Sequence, residues 1–216
     1  RMVEVTVREN GATRKVLFGG DLGRFPQLIL HEPEVPDGAD YLLVESTYGD
    51  RLHPQDDSRE RLTQVVESTA SRGGTLVIPS FAVGRTQELL YLFRELIEQG
   101  KMHSLPVHVD SPMGIDVTDI YMRHKEEHDL ETQAVTSRGL RPFSPPDVHF
   151  NRTRAESVAL NDAKYPMIII SASGMATGGR VLHHLARCLP DHRNTVLFVG
   201  FQAAGTRGQI IKSGAE

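Results

Sequence analysis

Two carboxylates and a set of small-residue loops carry the chemistry this sequence can offer. Asp21 lies in Gly19-Gly-Asp-Leu-Gly23, where glycines on both sides let the backbone bend sharply and present the acid without steric cover. A turn aspartate capping its own loop is an equally good local reading of Asp21. Glu45 follows the apolar run Tyr41-Leu-Leu-Val44 and opens Ser46-Thr-Tyr-Gly49, where hydroxyls and backbone are exposed. Four further loops recur in one pattern: Ser80-Phe-Ala-Val-Gly-Arg-Thr-Gln87, Asp110-Ser-Pro-Met-Gly114, Ser171-Ala-Ser-Gly-Met-Ala-Thr-Gly-Gly-Arg180 and Gly200-Phe-Gln-Ala-Ala-Gly-Thr-Arg-Gly208. Each sits between a strand pattern and a helix start, where unpaired N–H groups and the helix dipole favour an anion. Three carry a guanidinium (Arg85, Arg180 and Arg207), whose fork matches phosphate oxygens. Ser80, Ser111, Ser173, Gly174 and Thr206 complete the candidate contacts. One such loop is ordinary helix capping; four on one sheet edge point to a phosphate-lined crevice. None fits a dinucleotide fingerprint or a Walker loop, and a phosphodiester backbone suits the array better than a mononucleotide.

The elements that must position these residues follow from periodicity. Residues 2–7 alternate as a half-buried strand, Asn10-Gly11 is a strong hairpin turn, and residues 14–18 return. Pro33, Pro36 and Gly38 mark a loop leading to residues 41–44, read as a buried strand. The period then changes. Ser58 is the expected cap of a helix that turns Leu62, Val65, Val66 and Thr69 to one face and stops at Gly73-Gly74. A strand over 75–79 precedes a helix with Leu89, Leu90, Phe93, Leu96 and Ile97 inward and Gly100 as its stop. Strands over 106–109, 167–170 and 195–199 repeat the unit, with an irregular connection expected over 132–146. The reading is an α/β fold: a parallel sheet flanked by helices, preceded by a β-rich segment. In such a sheet, ligands gather beyond the carboxyl ends of the strands, where all four loops lie.

Composition narrows the setting. The chain has 216 residues, a net charge of −4 and one cysteine, Cys188, which cannot form an internal disulfide. A reducing cytoplasm is therefore the expected location. No apolar run reaches the roughly 18 residues of a membrane span, and the amino terminus lacks a signal-peptide core. The acidic balance argues against indiscriminate coating of nucleic acid but leaves room for a local basic cleft. The chain opens mid-strand and stops at Ser213-Gly-Ala-Glu216 without a closing helix, so a piece of a longer polypeptide is expected.

Gly20-Asp-Leu-Gly23, Glu45-Ser-Thr-Tyr-Gly49, Pro79-Ser-Phe-Ala-Val-Gly-Arg-Thr-Gln-Glu-Leu-Leu90, Ser173-Gly-Met175 with Gly178, and Gly200-Phe-Gln-Ala-Ala-Gly-Thr206 occur in a characteristic order. From about Val16 to the end they resemble the β-CASP branch of the metallo-β-lactamase superfamily, in its prokaryotic processing-factor-like form. That branch includes RNA-processing nucleases. The resemblance implies that residues 1–50 are the C-terminal part of a metallo-β-lactamase αββα domain and residues 51–216 a β-CASP domain. It implies a zinc-dependent ribonuclease with two zinc ions per full-length subunit. Such an enzyme hydrolyses RNA as an endonuclease, a 5′-to-3′ exonuclease or both, with the β-CASP domain clamping the strand, and a homodimer is compatible with it. Asp21 matches the bridging metal ligand. Glu45 matches an acid that orients a histidine near the scissile phosphate.

One departure from the family pattern is decisive. The ten histidines include no His-x-His pair, so the remaining zinc ligands are expected outside this sequence. A catalytic zinc needs about three protein ligands, so this chain alone is expected to be inactive. His124 and His128 have the i, i+4 spacing of a zinc pair but lack the metalloprotease glutamate, and read as a solvated helix end. His183 and His184 face different sides of their helix and read as rim or packing residues. A non-catalytic RNA-binding paralogue is the alternative. A small-molecule phosphate binder leaves Asp21 and Glu45 unexplained. Loss of Arg85 or Arg180 is expected to weaken RNA binding and flatten its salt dependence by about one unit of slope per contact.

Overall fold

A computed structural model describes residues 2–22, 25–52, 57–163 and 166–214. Gly23, the glycine beyond Asp21, and the terminal Ala215-Glu216 lie outside the described residues. The chain divides into two compact units, Arg1–Gln55 with Glu127–Ala134, and Asp56–Glu126 with Val135–Glu216.

The first unit is built on a hairpin. Strands β1 (Val3–Glu9) and β2 (Ala12–Phe18) pair antiparallel, with Glu9 opposite Ala12. The turn between them has Asn10 and Gly11 at φ of 51° and 78°, the left-handed pair that a two-residue hairpin turn requires. Strand β3 (Tyr41–Leu43) joins β2 in parallel, with Phe18 opposite Leu43. The ladder places Val3, Val5, Val16, Phe18, Tyr41 and Leu43 on one face. The run 41–44, expected to be buried, is instead exposed, at 58% for Tyr41 and 55% for Val44. It forms the edge of a three-stranded sheet, and its apolar side chains mark a surface suited to burial that stands open. Residues 29–31 pair with 127–129 through His31 N–H to Glu127 O at 3.0 Å and Asp129 N–H to Ile29 O at 2.8 Å.

The second unit is a parallel sheet in the order β6-β5-β7-β4-β8. Its strands are β4 (Thr75–Pro79), β5 (Val107–Val109), β6 (Val148–Phe150), β7 (Met167–Ser171) and β8 (Thr195–Val196). Every residue of the central strand β7 is buried, so both faces are covered. On one face Val77 packs with Val181, Leu185 and Cys188 of α6 (Val181–Cys188), while Ile169 beside it packs with Leu160 and Met167. The fold class matches the expectation, with four differences of detail. Helix α1 (Ser58–Ser71) is capped by Asp57, whose carboxylate accepts the Arg59 N–H at 2.9 Å, so Ser58 is the first helical residue and not the cap. Strand β6 has no counterpart in the sequence pattern, because three residues are too few to carry a period. The connection expected to be irregular contains α4 (Leu130–Ser137), whose weak amphipathy hides it. Strand β8 ends early, because after the Leu197 N–H bonds Val77 O the chain leaves the ladder.

Helix α2 (Arg85–Glu98) buries Leu89, Leu90, Phe93 and Leu96 as read, and ends where Gly100 takes φ of 66°. Burial is complete at Ile170 in the sheet centre. Truncation there removes apolar contacts and leaves a cavity, so Ile170→Ala should lower stability by about 2–5 kcal/mol, measured by urea unfolding.

Candidate nucleic-acid interface

The acidic pair belongs to the first unit. Because β2 and β3 run parallel with Phe18 opposite Leu43, the residues that follow them leave the sheet at the same end. Asp21 comes three residues after Phe18 and Glu45 two after Leu43. Gly19 makes this junction tight: its N–H bonds Leu43 O at 2.8 Å, and a β-carbon there would stand 3.3 Å from that oxygen. Gly20, at φ of 57°, then turns the chain to leave Asp21 exposed. Glu45 accepts the Thr47 N–H at 2.9 Å. That bond, with a second from the Thr47 hydroxyl, holds its carboxyl below the ordinary 4.5. Glu45 is thus an ionised, exposed acceptor.

In the second unit, the loops that follow β4, β5, β7 and β8 hold the remaining candidates at the carboxyl edge. Their hydroxyls are heavily engaged with the protein itself. Ser80, nearly fully buried, shares a hydrogen bond with the Thr86 hydroxyl at 3.1 Å. Ser111 caps α3 (Pro112–Arg123) by accepting the Gly114 N–H at 3.1 Å, with Pro112 in the first turn as read. Ser173 accepts the Thr177 N–H at 3.0 Å and closes its loop on itself. Thr206 caps the short helix α7 (Arg207–Lys212). Helix α2 differs, since Gly84 at φ of 78° begins it without a side-chain cap. The loops after β7 and β8 are sewn together. The Gln202 amide donates to Gly174 O at 3.0 Å, Gly208 N–H bonds Met175 O at 3.0 Å, and a β-carbon on Gly208 would overlap the Gln202 side-chain oxygen.

The three arginines have different fates. Arg85 pairs with Glu88 at 2.6 Å one helical turn on, a partly exposed contact that contributes little and can yield to a phosphate. Arg207 is exposed, donates to Ala176 O at 3.3 Å, and has no carboxylate partner among the described residues. Arg180 is committed inward. Its guanidinium donates to Asp110 at 2.7 Å, to Asn151 O at 2.9 Å and to Arg152 O at 2.8 Å. Asp110 is wholly buried and also receives the Ser157 hydroxyl at 2.6 Å and His184 Nε2 at 2.7 Å. Burial pushes the Asp110 carboxyl up, but the bonds from His184, Ser157 and Arg180 together hold it below the ordinary 3.8. Sequence reading singled out neither Asp110 nor Ser157. The available signal was the i, i+4 spacing of Arg180 and His184, which share one helix face.

A family model described as the Beta-Casp domain matches residues 86–211, more than half of the chain. The chain belongs to the β-CASP family. Ribonuclease TTHA0252 of Thermus thermophilus is 40% identical over 203 residues, covering 93% of this chain and 46% of that protein. An RNase J-like protein of Methanocaldococcus jannaschii is 33% identical over 207 residues, covering 94% and 47% respectively. Transcription termination factor FttA of the same organism is 36% identical over 177 residues, 80% of this chain and 28% of that factor. The β-CASP chain thus spans about half the length of the first two relatives and under a third of the last.

The zinc implied by the β-CASP resemblance can be tested against the side chains present. Among the described residues, no three of histidine, cysteine, aspartate or glutamate converge to hold a metal ion. Asp21 offers one donor, so these residues by themselves do not form the centre. The spaced histidines do not supply it either. His124 is exposed and paired with Glu126 at 2.8 Å, whereas His128 is buried. His184 is the packing residue of its pair, held by Asp110.

The Asp110 cluster makes a prediction for this edge. Arg180→Ala leaves a buried carboxylate without its guanidinium partner, and should cost about 3 kcal/mol or more in chemical denaturation. The sign of the pH dependence follows from the lowered carboxyl. Its contribution is fully present above the ordinary 3.8 and is lost as pH falls through the lower folded value. Acid unfolding curves should therefore show a steeper loss below about pH 4 in the parent chain than in Asp110→Asn.

Proposed function

We propose that the full-length protein containing this chain is a zinc-dependent ribonuclease that hydrolyses RNA phosphodiester bonds, with the β-CASP unit holding the RNA strand. The observation that carries this reading is the pairing of Asp21 and Glu45 at one end of two adjacent parallel strands, within a β-CASP chain whose relatives include a named ribonuclease. A purely structural turn gives no reason for two exposed acids to leave the same sheet end. In this reading residues 1–50 belong to a metallo-β-lactamase domain, whose further polypeptide covers the open apolar face of the β1–β2–β3 sheet. Asp21 is one of the zinc ligands, and the others come from outside this sequence. Glu45, its carboxyl held below the ordinary range by the bonds from Thr47, is suited to accept a hydrogen bond from a histidine and fix its orientation. The chain alone is inactive for want of ligands. The protein works in the cytoplasm, in keeping with its single buried thiol.

The phosphate contacts fall to Arg207, Arg85 and the backbone of the loops after β4 and β7, while Arg180 shapes the edge that presents them. Arg207→Ala should reduce the slope of log affinity against log salt by about 0.7, the value for one contact to a single strand. Titrations of labelled RNA at several salt concentrations measure it.

Cleavage of RNA by the full-length protein with zinc, beside its Asp21→Ala variant, tests the central reading. Loss of cleavage in the variant is the expected result. Equal cleavage by both would make Asp21 a turn residue only. Salt-sensitive binding without cleavage in either would favour the non-catalytic RNA-binding paralogue.

A further inference from the structure

We propose that Phe81 is a stacking platform for a base of the bound strand, an inference that rests on the RNA-binding reading above. Phe81 directly follows Ser80 in the loop after β4, yet its side chain is not part of the core: the residue is 43% exposed. The ring stands beside Ala82 and a still more exposed Val83, and its open face is available to a planar partner.

The ring is also held in place. Phe81 O accepts the Thr86 hydroxyl at 2.8 Å, and the Ser80 N–H bonds Ser171 O at 3.0 Å, so the backbone beneath it is anchored to β7. One ring edge rests on backbone. A β-carbon at Gly174 would stand 2.8 Å from Cδ2 and 2.9 Å from Cε2, and one at Gly200 would be 3.7 Å from Cε2. Glycine at these positions lets the loops after β7 and β8 support the ring without a side chain to wrap it there. A pre-set aromatic surface loses little freedom when a second planar group lies on it.

The chemistry of the surroundings selects a nucleobase as that group. An apolar side chain of a protein partner would find the ring and the exposed Val83, at 62%, but would leave the neighbouring Arg85 unused. A nucleotide presents a flat π-face and a phosphate within one covalent unit. The ring and the neighbouring Arg85, at the start of the next helix, offer a complement to each. Stacking of this kind tolerates any base, since every base has a π-face.

The test uses the full-length protein with chelator present to prevent cleavage, and two probes of equal length: oligoadenylate and the same ribose-phosphate chain without bases. The parent protein should bind oligoadenylate more tightly than the abasic chain. Phe81→Ala should weaken oligoadenylate binding about tenfold and leave abasic binding unchanged. Phe81→Tyr should keep the parent's preference, and Gly174→Ala, which pushes on the ring, should reduce it. Thermal melts matched to the parent establish that each variant is folded, and 2-aminopurine placed along the strand should lose its quenching in Phe81→Ala. If the parent binds both probes and Phe81→Ala weakens both alike or neither, the platform is overturned while RNA binding stands. If the parent binds neither, the RNA-binding reading itself fails.

Discussion

A buried carboxylate, Asp110, organises the carboxyl edge of the parallel sheet. It sits at the end of β5 with no solvent contact, and an acid so placed is tolerable only if charge and hydrogen bonds surround it. Arg180 arrives from the loop after β7, His184 from α6, and Ser157 from the helix after β6. Arg180 also takes two carbonyls after β6, at Asn151 and Arg152. One anion thereby fixes where three neighbouring strands release their chains. That constraint ties the ends of β5, β6 and β7 together in a way that hydrophobic packing of β5 and β7 alone does not impose.

The same cluster explains what the sequence could and could not disclose. Strand, loop and helix were legible wherever a period ran long enough or a residue had only one use: Asn10-Gly11 in the hairpin, Ser111-Pro112 at the head of α3, Gly100 at the end of α2. Three-residue β6 and weakly amphipathic α4 carry too little pattern to be read. The apolar run 41–44 was legible as a strand but not as an exposed one, because hydrophobicity reports what a surface prefers and not what lies against it. The candidate site was harder. Arginine after a glycine-rich loop suits an external phosphate and an internal aspartate equally well, and only the partner distinguishes them. For Arg180 that partner lies 70 residues away in sequence. Phe81 escaped notice because the sequence cannot say that a phenylalanine next to a buried serine faces outward.

The two units also divide the chemistry. The acids of the first are exposed at a strand end tightened by Gly19. The cations of the second range from Arg180, held inside, through Arg85, loosely paired, to Arg207, without a carboxylate partner among the described residues. That gradation matters more than the overall charge of −4, since it sets which guanidinium can exchange partners at small cost.

The stitching of the loops after β7 and β8 has a consequence for how such proteins can diverge. Gln202 reaches across to Gly174 O, Gly208 meets Met175 O, and the space for a side chain at Gly208 is already filled. Lengthening one of these loops without the other would pull both bonds apart at once. Insertions and deletions in them should therefore arise in concert across descendants, whereas an isolated surface turn such as the one at Gly139, with open space beside it, is free to drift in length.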